Sequence, residues 1–349
     1  MRDVAERAGV SISTVSHVIN KTRPISTETT ARVLDAIREL GFHKNAIGRR
    51  LARGRSDSIG LIISDIENPF FGELIKSFEI AVQDRGFDVL LCTTNYVPER
   101  ARKAVDRMIE NNVQGVAVMT SQLDAALVDD LVARDIPVVR LDGGPVGRAR
   151  SNVRVDYSAG AVEAVTHLRG LGHRNISFIT GPLNRISSVT YRQAMIGAAK
   201  RLGLPPLRLV EGNNETDGGE AGVQLLLSQP DVPTAIICGN DLAALGAIRA
   251  LAKAHLRVPD DISVIGADDI TFARFGAPAL TTIRIPRDQL GQAAFQALER
   301  MIRTKTRVPT ETFVETHLVV RESTGPARAT VTLAKAKPER DLGTTPLTN

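Results

Sequence analysis

Tryptophan is absent from this 349-residue chain, aromatic residues make up 4%, and only two cysteines and six histidines occur. Cys92 and Cys238 sit in apolar, strand-like runs, Val89-Leu90-Leu91-Cys92 and Ile236-Ile237-Cys238, the usual setting of a reduced buried thiol. Neither a CxxC pair nor a His/Cys cluster is present, so the sequence offers no zinc site. No apolar run approaches the roughly 18 residues of a membrane span. The start also lacks a basic segment followed by an apolar one, so a cytoplasmic location is expected. Catalytic signatures are missing too. Gly143-Gly144-Pro145-Val146-Gly147 follows neither GxGxxG nor the P-loop pattern, no GxSxG elbow exists, and the histidines have no metal spacing. No enzyme activity and no cofactor are expected. With 43% apolar and 24% charged residues, the chain reads as an ordinary globular protein of two or three domains.

What is present begins at the N-terminus. Residues 1–56 carry eleven cations and five anions, a net +6 against +5 for the whole chain, so the remainder is near neutral. A basic head on a neutral body fits a phosphate-binding module, because Lys and Arg replace the counterions condensed on nucleic acid; a solvated charged surface is the alternative. Within the head, Ala8-Gly9-Val10-Ser11 links two short helical patterns. Gly9 can take the positive φ that ends the first, and Ser11 can cap the second. This is the layout of a helix-turn-helix, with a recognition helix over Ile12–Asn20. Ile12, Ser13 and Ser16 should point outward, with Val15, Val18 and Ile19 toward a small core, and the helix start should touch base edges in the major groove. Ser26 can cap a third helix in which Val33, Ile37 and Leu40 repeat at helical spacing before Gly41 stops it. Residues 45–56 form a basic stretch with too few apolar positions to pack as an independent helix, a linker that becomes helical only on DNA.

From Ser58 the texture changes to short apolar strands (Ile59–Ile63, Asp88–Leu91, Gly115–Val118, Pro137–Leu141) separated by helical patterns at Phe71–Arg85 and Glu99–Asn111. The cadence repeats with strands at Ile176–Ile179, Leu207–Val210, Ala235–Cys238 and Ile262–Ile265. Helices there fall near Ala159–Gly170, Tyr191–Leu202, Gly218–Ser228 and Asp241–His255. Two doubly wound parallel-sheet units of this kind leave a cleft at their strand C-termini, where small ligands bind. Residues 325–349 have no periodic apolar face and are expected to be a disordered tail.

With head, linker and double α/β body in place, the chain resembles the LacI/GalR family of transcriptional regulators, over residues 1 to about 324. The motifs run in order: Asp3-Val4-Ala5, Ala8-Gly9-Val10-Ser11, Thr14-Val15-Ser16, Asn20, Leu40-Gly41-Phe42, Asn45-Ala46, Leu51, Asn68-Pro69-Phe70-Phe71, Gly172-His173-Arg174-Asn175-Ile176, Asn240-Asp241, Ile262-Ser263-Val264-Ile265-Gly266, Asp268-Asp269 and Leu280-Thr281-Thr282-Ile283. The resemblance implies a helix-turn-helix head over 1–44 and a hinge over 45–56. It further implies a periplasmic-binding-protein-like body of an N-terminal subdomain (57–155 and 285–313) and a C-terminal one (156–284 and 314–324). It also implies a homodimer on an operator with two-fold symmetry, with a small molecule in each body setting the spacing of the heads. Residues expected to meet DNA are Ile12, Ser13, Thr14, Ser16, His17 and Asn20 on the recognition helix, and Asn45, Arg49 and Leu51 on the hinge. In the family the leucine at the position of Leu51 wedges into the central base step, which would give this apolar side chain a partner and bend the duplex. Packing on the body is the alternative for Leu51.

Three positions depart from the pattern. At His17 the family most often has arginine, so the bidentate guanine contact is lost and base preference should shift. Gly48 stands where alanine is usual, which should make hinge folding more dependent on DNA. Met1 begins close to the first helix, so that helix is weakly capped or the start is a few codons late. For the ligand, Asn68, Phe70, Asp142, Asn240, Asp241 and Asp268 all follow expected strands, where carboxylates and amides can converge on hydroxyl groups. A strand-end Asp is also a common helix cap. If Asp241 is the cap, Asn240 is the contact. The family's ligand-binding arginine carries over to Arg192, although strict register puts Tyr191 there. The expected function is a ligand-responsive repressor controlled by a sugar or polyol, with a purine or nucleoside as the alternative. A solute-binding protein for transport is disfavoured, since it would have no use for the head.

Overall fold

The computed structural model describes residues 1–42, 56–120, 123–304 and 307–328. The chain divides into two units, Met1–Ser56 and Asp57–Asn349. In the first, α1 (Arg2–Ala8), α2 (Ile12–Asn20) and α3 (Thr27–Glu39) enclose one small core of Val4, Ala5, Ala8, Val15, Val33 and Ala36. Local chemistry sets each boundary. Gly9 ends α1 at φ 64°, where a side chain would be strained. Ser11 Oγ accepts from the Thr14 N–H at 3.1 Å, and Ser26 Oγ from the Thr29 N–H at 3.3 Å. Helix α1 has Met1 at its N-cap and no side-chain cap bond. Arg32 compensates at the other end, donating from Nη2 to the Ala8 carbonyl at 2.6 Å. Leu40, expected in this core from its spacing, is 46% exposed because α3 ends at Glu39 and turns away from the helical register.

The second unit carries two six-stranded sheets. In the first lobe, β1 (Ser58–Ile63), β2 (Asp88–Thr93), β3 (Val116–Met119), β4 (Val138–Leu141) and β5 (Arg150–Asp156) alternate with α4 (Pro69–Gln83), α5 (Pro98–Glu110) and α6 (Ala125–Ala133). The second lobe holds β6 (Ile176–Thr180), β7 (Arg208–Glu211), β8 (Ala235–Cys238), β9 (Ser263–Asp268) and β10 (Thr281–Arg284). Its helices are α7 (Ser158–Gly170), α8 (Ile186–Arg201), α9 (Thr216–Leu227), α10 (Asp241–Lys253) and the short α11 (Phe272–Phe275). The chain then returns to the first lobe as α12 (Arg287–Arg303) and β11 (Glu311–Glu315), and ends in the second with β12 (His317–Val319). The orders are β11-β5-β4-β3-β1-β2 and β12-β10-β9-β8-β6-β7, all parallel except β12 against β10. In each sheet β1 or β6 is flanked by β2 or β7 on one side and β3 or β8 on the other. Each sheet therefore has a switch point, and its crevice opens at the strand C-termini.

The strands are apolar runs because both faces are covered: β1 and β8 are buried at every position. In the second lobe α9 and α10 approach backbone to backbone. A Cβ on Gly219 would lie 1.9 Å from the Ala243 carbonyl oxygen, and one on Gly246 1.9 Å from that of Thr216. Gly246→Ala should therefore cost about 1–3 kcal/mol by overpacking. The expected result is a lower thermal midpoint with helix content kept; an unchanged midpoint would show that the helices separate freely. The segment expected to be disordered from Gly325 starts ordered. The Gly325 N–H donates to Ser263 Oγ at 3.0 Å, its carbonyl accepts from His173 Nε2 at 3.0 Å, and the Ala327 N–H reaches the Leu171 carbonyl at 2.8 Å. Hydrogen bonds hold it where the sequence shows no apolar periodicity; residues 329–349 lie outside the described ones.

Candidate functional site

Two surfaces are candidates for function, one in each unit. On the head, Ser13, Ser16, His17 and Asn20 follow helical spacing along α2, and Ile12 is 47% exposed at its start. Val15 is fully buried, and Val18 and Ile19 pack against the same core, so the opposite face is the free one. Asn20 Nδ2 donates to Ser16 Oγ at 3.1 Å, and His17 Nδ1 lies 2.9 Å from Thr22 Oγ1. Thr14 is committed to the cap, its hydroxyl 2.8 Å from Ser11 Oγ, which leaves it a weaker candidate for base contact. The expected hinge contacts Asn45, Arg49 and Leu51 fall outside the described residues, as does Gly48.

In the body a cavity of about 110 Å³ lies where the strand C-termini of the two lobes face each other. That is of the order of an enclosed site for one ring. Asn68, Phe70 and Asp142 line it from the first lobe, Asn240 and Asp268 from the second. Asn68 also caps α4 through the Phe70 N–H at 3.0 Å, and Asn240 caps α10 through the Ala243 N–H at 2.9 Å. Capping fixes both amides in place. Tyr96, Asp142, Asn214 and Asp268 hold positive φ angles of 58°, 47°, 67° and 111°. Such backbone persists only where surroundings enforce it, and it gathers at binding sites. At Asp268 the enforcing group is Arg287, 3% exposed. It donates to the carbonyls of Asp268 and, at 2.8 Å, Asp269, and at 2.8 Å to Glu73 Oε2 on α4. Arg287 thus ties the strained turn of one lobe to a helix of the other.

All three tyrosines of the chain line this cavity. Tyr157 and Tyr191 lean together with ring centroids 5.1 Å apart, and the Arg185 guanidinium sits 3.7 Å over the Tyr96 ring, bridging the lobes. Burial pushes all three phenols up, so each stays a hydrogen-bond donor. Burial also raises Asp142 to about 6, against the Val155 N–H bond and Arg154, and lifts Asp268 well above the usual carboxylate range. Five buried side-chain polar atoms among the described residues lack a partner. Four of them, Arg185 Nε, Ser188 Oγ, Tyr191 OH and Asn214 Oδ1, belong to residues of this wall.

Two expected contacts are corrected. Asp241 is fully buried and absent from the lining, with its oxygens accepting from Thr282 Oγ1 at 2.5 Å and the Ile270 N–H at 2.8 Å. It braces the β9–β10 end of the lobe, while Asn240 is the cap. Arg192 is absent from the lining, and Tyr191, where strict register puts the contact, stands there on α8. Ser187, Ser188 and Tyr191 then share the cavity face and the next residue turns about 100° away. The arginine that does line the cavity, Arg185, precedes the helix and was missed, as were Tyr96, Tyr157 and Asn214. Tyr96 also follows an expected strand, so the strand-end rule could have found it, whereas Tyr157 follows β5, a strand that the sequence hides.

Burial raises Asp241 to about 7, with its two accepted bonds opposing. A carboxyl held above its unfolded value of about 4 contributes stability that is complete below that pH and is lost as pH rises through about 7. The thermal midpoint of the protein should therefore fall between pH 5 and pH 8, and fall less in Asp241→Asn. An equally steep fall in the variant would assign the effect to Asp142 and Asp268.

The head and body both have relatives. Residues 1–45 match the bacterial regulatory proteins of the lacI family, and residues 165–324 a periplasmic binding protein-like domain. The transcriptional repressor PurR of Histophilus somni is 36% identical over 326 residues, covering 93% of this chain and 98% of the relative. PurR of Edwardsiella ictaluri is 38% identical over 327 residues, 93% and 96%. Among solved structures, a lac repressor dimer bound to operator and the anti-inducer ONPF aligns with a TM-score of 0.83 at 28% identity, over 93% of this chain and 98% of that one. A complex of the regulator CelR with cellobiose gives 0.70 at 30%, over 92% and 98%. Among the described residues no helix is long and apolar enough to cross a membrane. A DNA-reading helix and a ligand-sized cleft on one chain, matched along nearly its whole length by repressors rather than enzymes, place this protein in the LacI family as a ligand-responsive, DNA-binding repressor.

Proposed function

We propose that the cavity takes an uncharged, hydroxyl-rich molecule of about one ring, a monosaccharide or related polyol. Its occupancy then sets the grip of the two heads of a homodimer on a two-fold operator. The observation that carries this reading is the set of four buried, unpartnered polar atoms in residues that line the cavity, Arg185 Nε, Ser188 Oγ, Tyr191 OH and Asn214 Oδ1. Buried groups left unpaired cost about 1–3 kcal/mol each, so a ligand that pairs all of them recovers much of that. Alternating hydroxyl groups on a small ring supply donors and acceptors at the required density. Charge narrows the class further. Burial and the nearby carboxylates of Asp65, Asp217 and Glu67 push Glu215 up beside Arg185, so acidic groups from both lobes surround Arg185 and would repel a phosphate.

A second reading, a purine base or nucleoside, is favoured by the relatives named PurR and by the aromatic walls. Free ring faces are few, however. Arg185 covers Tyr96, Tyr157 and Tyr191 face one another, and Phe70 packs edge to face with Phe71 with the Arg287 guanidinium 5.9 Å over its ring. The test is a thermal-shift screen of monosaccharides, polyols, sugar phosphates, purines and nucleosides, followed by tyrosine emission, which in this chain reports only the cavity. A sugar or polyol should raise the midpoint and shift the emission, and its phosphate ester should do neither. A purine that does both in place of the sugars would replace this reading with the second.

A further inference from the structure

His17 is a departure from the family pattern on the reading face of α2, and its ring is held. Helix α2 ends at Asn20, and Lys21 takes a left-handed φ of 52°, so the Lys21 and Thr22 N–H groups both turn back to the His17 carbonyl, that of Thr22 at 3.3 Å. The same turn sets Thr22 Oγ1 2.9 Å from His17 Nδ1. Among the described residues Nδ1 is the one recorded partner of that hydroxyl. A neutral imidazole has one donor and one acceptor nitrogen, and the partner of one fixes the role of the other. If the Thr22 O–H donates to the Nδ1 lone pair, a stronger acceptor than a hydroxyl oxygen, the ring proton is on Nε2.

We propose that Thr22 is a positioning residue of the DNA-reading surface, holding His17 in the form that presents Nε2–H to the major groove, so that the base read at this position is guanine. Guanine offers that donor two acceptors there, N7 and O6, whereas thymine offers one beside its methyl group, adenine one beside an amino group, and cytosine only an amino group. A histidine in this form replaces the two-pronged contact of an arginine with one directed bond, and its selectivity depends on the hydroxyl behind it. The inference rests on α2 lying in the major groove, and the experiment separates the two claims.

Binding sites are selected from a randomised duplex library with the full-length protein and with Thr22→Val, Thr22→Ser and His17→Ala. Valine keeps the shape of threonine and removes the hydroxyl; serine keeps the hydroxyl. The wild type and Thr22→Ser should select guanine at one symmetric pair of positions. In Thr22→Val that preference should drop about tenfold, with every other position unchanged. Loss of His17 should erase preference at the same pair. An unchanged motif in Thr22→Val overturns the proposal, and so does a uniform loss at all positions, which would mean a structural role. An unchanged motif in His17→Ala would remove His17 from the reading surface altogether and overturn both claims.

Discussion

In an Asp268→Ala protein the ligand should no longer change operator binding, while operator affinity without ligand stays close to that of the wild type. Asp268 lines the cavity at the end of β9, far along the chain from the head and in the other compact unit. Burial lifts its carboxyl well above the usual carboxylate range, with Asp241 adding to the rise and Arg287 opposing it, which favours the form that donates to a ligand oxygen. Allosteric coupling of this kind is worth about 1–3 kcal/mol, a five- to 150-fold change in operator affinity on adding ligand, and removing the differential contact should bring that ratio to about one. Fluorescence anisotropy on labelled operator, with and without the ligand found by screening, reads it directly. A variant that keeps the full ratio would place the responsive contact elsewhere in the cavity. A variant that loses operator binding without ligand would show that Asp268 serves the fold.

Arg287→Met should have the largest effect on stability, about 3 kcal/mol, because two buried carbonyls lose a charged donor and Glu73 loses its partner. Methionine keeps much of the apolar stem, so the loss is one of hydrogen bonds rather than of volume. The same change should weaken the ligand's effect on DNA even where the protein remains folded. Asp268 would no longer be tied through Arg287 to α4, whose first turn carries Phe70 on the cavity wall. Chemical denaturation gives the stability, and the operator titration at a temperature where the variant is folded gives the coupling. A stable variant with intact response would reduce Arg287 to a buried ion pair without a transmitting role.

The head was the most legible part of the sequence, because Gly9, Ser11 and Ser26 act within one turn of themselves and need no tertiary information. The inner strands were legible for a related reason, being apolar on both faces. Strand β5, by contrast, reads Arg150-Ser151-Asn152-Val153-Arg154-Val155-Asp156. Its alternate positions Arg150, Asn152, Arg154 and Asp156 are all polar, so the run looks polar, and it passes as loop. Helix α12 was missed because its apolar residues are spread among Arg, Asp, Gln and Glu, although it buries Leu290, Phe295 and Leu298. At the cavity, five strand-end residues were found by position alone. Arg192 failed because it stands one residue, about 100°, off the strict register that puts Tyr191 on the cavity face, and Asp241 failed because an acid at a strand end can turn inward as readily as outward.

The central claim is that occupancy of the body's cavity and operator binding by the head are energetically linked. The most direct test measures the linkage from both sides on one sample. Tyrosine emission gives the ligand's affinity with and without saturating operator, since all three tyrosines line the cavity. Anisotropy of labelled operator gives the DNA affinity with and without saturating ligand. Linkage requires the two ratios to be the same number, whichever direction the regulation runs, and the account predicts a shared factor of about five or more. A ligand that shifts the tyrosine emission yet binds equally with and without operator would contradict it.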